Sequence, residues 1–213
     1  RIVSGLFRGR QLAVPQHDGL RPTSDRVRES VFNILAHGIQ DFSLQGARVI
    51  DLFAGTGALG LEALSRGGAY CLFVEDSAEA RALIRTNVEA FGLTGETRIF
   101  RRDATDLGPA GNMEAYDLAF LDPPYGKGLA EQALASARDG GWLAPEALVV
   151  VEEAAQAGFK PPEGFQELER RVAALPGIAH TGLVDYLPMG SSSTSSFFQI
   201  VGQPPLPKSS QSR

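Results

Sequence analysis

Apolar residues recur along this 213-residue chain in short runs separated by stretches of helical spacing. The runs at 48–53, 70–75, 97–100, 118–121 and 147–152 predict five strands, four of them almost free of polar positions. Strands apolar on both faces belong to a parallel sheet covered by helices on either side. Between the runs, segments 58–66, 78–91 and 128–139 have helix-forming composition. The second carries Ala82, Ala90 and Phe91 near one face and ends at Gly92, a natural C-cap. A further helix is expected before the first strand. Thr23 or Ser24 can cap it, and Val27, Val31, Ile34 and Leu35 form its apolar stripe. The alternation predicts a doubly wound α/β fold.

Beyond residue 171 the pattern changes. From 172 to 207 the only charged residue is Asp185, and the stretch holds a Ser/Thr run at 191–196 followed by Gln203-Pro-Pro-Leu-Pro207. Two late strands, 183–187 and 197–201, are expected, with the run between them flexible. This divides the chain into a basic arm with its helix (1–45), a core (46–171) and an atypical C-terminal segment (172–213).

Composition narrows the class. With 43% hydrophobic and 21% charged residues the chain reads as a globular domain, which excludes collagen-like, wholly disordered and disulfide-scaffold proteins. Cys71 is the only cysteine, so no internal disulfide can form, and a reducing compartment is expected. No run approaches the roughly 18 apolar residues of a membrane span, and no signal-peptide pattern stands at the start, so the expected address is the cytoplasm. His17, His37 and His180 lack metal-ligand spacing, and no metal is expected.

The net charge of −5 argues against binding nucleic acid through overall charge, but its distribution is uneven. Residues 1–48 hold seven arginines against four acids, an excess of three positive charges that leaves the remainder at −8. Seventeen of the 20 basic residues are arginine, whose planar fork suits phosphate. Arg8, Arg10, Arg26 and Arg28 are the candidates for RNA phosphate contacts; a solvated face would look the same by charge alone.

Chemistry concentrates at the ends of the predicted strands. The first runs into Asp51-Leu-Phe-Ala-Gly-Thr-Gly-Ala-Leu-Gly60, a glycine turn leading into a helix, with Gly60 where close packing on the sheet excludes a side chain. Glu75 follows Gly55 by twenty residues at the end of the second strand, where a carboxylate accepts hydrogen bonds from ribose hydroxyls. Glycine turns also arise for conformational reasons alone, but strand, helix and acid together point to a nucleoside cofactor. Asp51 near the crevice would repel a pyrophosphate and favour an ammonium group, which S-adenosylmethionine has. Asp103-Ala104 after the third strand offers a carboxylate and a backbone N–H to an adenine, though Asp103 also suits a turn cap.

The fourth strand ends at Asp122-Pro-Pro-Tyr125. A nucleobase amino group is a poor nucleophile because its lone pair is delocalised into the ring. The Asp122 carboxylate and the Pro123 carbonyl can accept its two N–H bonds and free that lone pair. The two prolines restrict the backbone beforehand, and Tyr125 presents an aromatic face for stacking. A Pro-Pro turn with Tyr as a core lid is the alternative. A nicotinamide-dependent oxidoreductase would account for the glycine turn and Glu75 but not for Asp122–Tyr125. A non-catalytic RNA-binding module would account for the arm alone.

Asp51–Gly57, Glu75, Asp103-Ala104 and Asp122–Tyr125 together resemble the class I S-adenosylmethionine-dependent amino-methyltransferases. Arg21-Pro-Thr-Ser-Asp-Arg-Val-Arg-Glu-Ser-Val-Phe-Asn-Ile-Leu35, with Ile2-Val-Ser-Gly-Leu-Phe-Arg-Gly-Arg10, is similar to the bacterial 16S rRNA guanine-N2 methyltransferases of the RsmD type over about residues 2–170. The resemblance implies a Rossmann-like, mostly parallel seven-stranded sheet with a small N-terminal extension. It also implies methylation of the exocyclic N2 of one guanine of 16S rRNA, in an assembling small subunit; a monomer is expected. The matching positions put S-adenosylmethionine at Asp51, Phe53, Ala54, Gly55, Gly57, Glu75, Asp76, Asp103 and Ala104, with Arg21 and Thr23 at the entrance. Family members finish with a charged, aromatic β-hairpin, from which this chain departs after residue 171. Asp-Pro-Pro-Tyr by itself also fits adenine N6, cytosine N4 or protein glutamine N5 as acceptor.

Overall fold

The computed structural model describes residues 1–15, 25–154, 158–167 and 196–202. Strands β1 (Arg48–Leu52), β2 (Tyr70–Val74), β3 (Thr97–Phe100), β4 (Tyr116–Leu121) and β5 (Leu143–Ala154) form a parallel sheet in the order β3-β2-β1-β4-β5. Past β5 the sheet continues in antiparallel fashion through β7 (Ser196–Gly202) to the two-residue β6 (Gln166–Glu167). Five of these strands are parallel, and the two segments that extend the sheet join it by antiparallel pairing. All five predicted core strands are present. Their ends differ by a few residues because β4 begins earlier and β5 extends in both directions. β7 includes the expected strand at 197–201, whereas 183–187 and most of the serine run lie outside the described residues.

Helices α1 (Asp25–His37), α2 (Ala58–Ser65), α3 (Ala78–Phe91) and α4 (Leu129–Asp139) complete the fold. One buried cluster joins Val49, Phe73 and Phe120 of the sheet to Phe32 of α1, Leu61 of α2 and Ile84 of α3. The other joins Ile50, Leu72 and Ala119 to Leu134 of α4 and Trp142, so both faces of the sheet are covered. Trp142 is wholly buried, and its indole N–H donates to Gly108 O at 2.7 Å, satisfying its one polar atom.

Helix α3 spans its predicted residues, opened by Ser77, whose hydroxyl accepts from Ala80 N, and closed by Gly92 at φ 72°. Its buried face is Ala80, Ile84, Asn87, Val88 and Phe91; Ala82 and Ala90 are exposed, contrary to expectation. In α1 the buried positions are Arg28, Val31, Phe32 and Leu35. The expected caps Thr23 and Ser24 lie outside the described residues.

The arm is fastened to the core. Val3 N and Ser4 N donate to the buried Glu62 carboxylate at 2.8 and 2.9 Å, while Leu6 N and Phe7 N donate to Ser65 O and Ser65 Oγ. Gly5 has φ 81°, and a Cβ there would lie 1.9 Å from Ser65 O, so only glycine allows the arm to approach α2. Ile2 is fully buried beneath it. Further along, Asn87 accepts from Ala13 N at 2.6 Å and donates to Thr56 O at 3.0 Å, tying the arm to the turn after β1.

Candidate active site

Chain order reverses after β3, so β1 is flanked by β2 on one side and β4 on the other. Open α/β sheets bind ligands at such a switch point, beyond the carboxyl ends of the strands. Leu52 pairs with Val74 and Leu121, which brings Phe53, Glu75 and Asp122 to one edge of the sheet.

The turn after β1 begins with strain. Phe53 has φ 63°, a region costly for a residue with a Cβ, and Gly55 and Gly57 follow at φ 56° and 77°. A Cβ on Gly55 would meet nothing nearer than 4.0 Å, so open space lies beside its backbone. Gly57 instead faces Phe73, 3.1 Å from a Cβ placed there. Gly60 is a packing glycine, as expected: a Cβ would lie 2.4 Å from the Phe73 ring and 2.5 Å from Cys71 Sγ.

Glu75 joins two elements. One carboxylate oxygen accepts from Gly55 N at 2.8 Å and the other from Ser77 N at 2.9 Å, while Arg81 of α3 donates to the carbonyls of Glu75 and Asp76. Burial raises the Glu75 pKa, and the two N–H donors oppose the rise. Asp51 differs from expectation in its exposure. It is 1% exposed, lies beneath the turn, and accepts from Gly60 N at 3.0 Å. Burial pushes its pKa well above the usual carboxylate range; the Gly60 bond opposes this, and Asp122 and Glu75 add to it.

A cleft of about 180 Å³ opens at these strand ends. Its apolar walls are Phe53, Val74, Ala104 and Leu129, and Pro124 closes one side. Glu75, Asp76 and Asp103 supply the acceptors. Asp103 Oδ1 also accepts from Thr105 N and Oγ1, so the residue caps the short 3₁₀ turn Ala104–Asp106 while bordering the cleft. Arg102 lines it too, with its guanidinium 4.9 Å from the Phe100 ring centroid and donating to Leu107 O. Sequence reasoning missed Arg102, although it directly precedes Asp103. Ala54 is buried behind the turn. Arg21 and Thr23 lie outside the described residues.

Pro123 is buried, Asp122 and Tyr125 are half-buried, and Pro124 is exposed. The Tyr125 hydroxyl donates to Glu152 Oε1 at 2.6 Å, and Gly126 N donates to Glu153 Oε1 at 2.9 Å. Both glutamates are buried at the end of β5. Neither was singled out from sequence, because nothing local marks a strand-end acid as the anchor of a loop 27 residues away.

Among the proposed RNA contacts, Arg8, Arg10 and Arg26 are exposed, and Arg10 lies 5.6 and 5.4 Å from the ring centroids of Phe7 and Phe91. Arg28 does not belong with them. It is 2% exposed, donates to Arg1 O and Asp25 at 2.5 and 2.7 Å, and lies 3.5 Å from Glu62.

Sheet order, glycine turn and acid-lined cleft, with Asp-Pro-Pro-Tyr following β4, define a Rossmann-like methyltransferase domain. The chain belongs to the family described as Conserved hypothetical protein 95, whose model matches residues 1–176. It is 42% identical over 175 residues to the Ribosomal RNA small subunit methyltransferase D of Escherichia coli, covering 82% of this chain and 84% of that protein. The protein of the same name from Haemophilus influenzae is 35% identical, with 87% and 91% covered. The solved structure of the Escherichia coli methyltransferase yhhF aligns with a TM-score of 0.72 at 29% identity, covering 96% of this chain and 97% of that one. A methylase from Haemophilus influenzae aligns at 0.68 and 26%, covering 96% and 98%.

Proposed function

We propose that this chain transfers a methyl group from S-adenosylmethionine to the exocyclic N2 of a guanine in small-subunit ribosomal RNA. The observation that carries the reading is the meeting, at the β1–β4 switch point, of the acid-lined cleft with the Asp122–Tyr125 loop. The residues present fit the cofactor. The open space beside Gly55 admits a ligand close to the backbone, and Glu75, Asp76 and Asp103 offer acceptors to ribose hydroxyls and an adenine amino group. The relatives named for methylation of small-subunit ribosomal RNA support that substrate for this chain. We read β7 and β6 as the edge that completes a seven-stranded class I sheet, and residues 1–45 as an extension serving RNA.

When bound, S-adenosylmethionine supplies the electrophilic methyl group. The chain's own contribution is to hold the acceptor. Asp122 and the Pro123 carbonyl take the two N–H bonds of the guanine amino group, which draws the nitrogen toward a tetrahedral form with its lone pair free. Tyr125 stacks on the base, which must leave its helix to enter the site. After transfer the nitrogen is strongly acidic, so its extra proton passes to solvent without a strong base.

The test is transfer of labelled methyl to small-subunit particles, with Asp122→Ala alongside. The variant should bind S-adenosylhomocysteine as the wild type does and transfer nothing. Normal transfer by Asp122→Ala would remove that residue from the reaction, and stabilisation of the protein by NAD in place of S-adenosylhomocysteine would favour an oxidoreductase.

A further inference from the structure

We infer that Glu152 is a positioning residue, fixing the Tyr125 ring so that a base entering beside Asp122 meets a preset stacking face. The inference rests on the reading of the reaction given above and extends it to a residue of β5.

The last ladder pair between β4 and β5 is Leu121 with Val151. One step further along each strand stand Asp122 and Glu152. Successive residues of a strand point to opposite faces, so Glu152 and Glu153 can both engage one loop only where that loop crosses the strand end. They do so through different groups: Glu152 takes the Tyr125 hydroxyl at 2.6 Å and Glu153 takes Gly126 N at 2.9 Å. Glu152 is 7% exposed and Glu153 1%. A phenol held at its far end by a buried carboxylate keeps the direction of its ring axis, and a backbone N–H held one residue later fixes where the ring begins. Gly126, at φ 72°, makes the corner. The turn Asp122–Gly126 is thus anchored at the side chain of Tyr125 and at the backbone beyond it. Two acids on adjacent positions of a core strand are costly to bury, and their bonds to this loop offset part of that cost.

The consequence is specific to orientation. Without the Glu152 carboxylate the ring can swing away from its stacking position, while the acids of the cleft, Glu75, Asp76 and Asp103, keep their places. Glu152→Ala should lower kcat for methyl transfer to small-subunit particles about tenfold, the scale of one hydrogen bond to a charged group. KM for the particle and affinity for S-adenosylhomocysteine should hold. Tyr125→Phe, which keeps the ring but not its anchor, should lose as much, and the double variant no more than either. Glu152→Gln, whose amide oxygen still accepts from the hydroxyl, should recover most of the rate.

Full activity of Glu152→Ala would overturn the inference, as would losses that add in the double variant. So would a Glu152→Gln variant as impaired as Glu152→Ala, or a loss confined to KM or to S-adenosylhomocysteine affinity. A wild type that transfers methyl with variants equally active sinks the positioning role alone; a wild type that transfers none sinks the reading of the reaction and the inference with it.

Discussion

Glu75 accepts a hydrogen bond from the N–H of Gly55 at 2.8 Å, so the acid at the end of β2 and the glycine turn after β1 form one unit. The same carboxylate also holds Ser77 N at the start of α3. The shape of the turn therefore depends on a side chain that also lines the cleft.

Glu75→Ala removes the acceptor of two backbone donors together with the proposed acceptor for the cofactor ribose. S-adenosylhomocysteine should bind about ten to a hundred times more weakly by calorimetry, since hydrogen bonds to a charged group are each worth about 1.5–3 kcal/mol. Unchanged affinity would separate Glu75 from the cofactor site.

Gly60→Ala should destabilise the fold by about 1–3 kcal/mol, the range for overpacking a filled core. The added methyl would meet the Phe73 ring and Cys71 Sγ at 2.4 and 2.5 Å. Urea unfolding reads the change directly, and a neutral result would place α2 farther from β2 than described.

Asp51 gives the fold a pH dependence of definite sign. Burial raises its pKa well above the ordinary 3.8, so the folded chain holds a proton that the unfolded chain releases. This contribution is fully present below about pH 4 and is lost as pH rises through the folded pKa. Asp51→Asn keeps an oxygen for Gly60 N–H but cannot ionise. Comparing unfolding midpoints of the two proteins between about pH 4 and about pH 8 should show the wild type losing stability relative to the variant as pH rises. A constant difference would contradict a raised pKa.

Arg28 and the exposed arginines should separate cleanly. Arg28→Ala leaves the buried Glu62 short of a partner and should cost about 3 kcal/mol in unfolding free energy. Arg8→Glu with Arg10→Glu should cost less stability than Arg28→Ala, about 1 kcal/mol for the lost contacts of Arg10 with Phe7 and Phe91, weaken RNA binding and flatten its salt dependence. If RNA binding ignores the pair, the arm is a solvated face.

The sheet was legible because strands buried on both sides are apolar at nearly every position, and the switch-point residues followed from where those runs end. Arg28 shares its charge with the exposed arginines of the arm but not their phase. It stands with Val31, Phe32 and Leu35 at i, i+3, i+4 and i+7, the buried stripe of α1, and that spacing could have identified it as a core residue. Helix α2 offered a similar hint. It is buried throughout Leu59–Ser65, and its Glu62 is paired from the arm and from Arg66. Glu152 and Glu153 offered none, since their role exists only once β5 lies beside β4 and brings them to a loop distant in sequence. The cap role of Asp103 and its place on the cleft were both readable, and the structure gives it both.

The most direct test of the central claim is the identity of the methylated nucleoside. Small-subunit particles lacking the modification, incubated with this protein and labelled S-adenosylmethionine and then digested to nucleosides, should carry the label in N2-methylguanosine at one site. Label in N6-methyladenosine or N4-methylcytidine, or label in protein instead of RNA, would contradict the account.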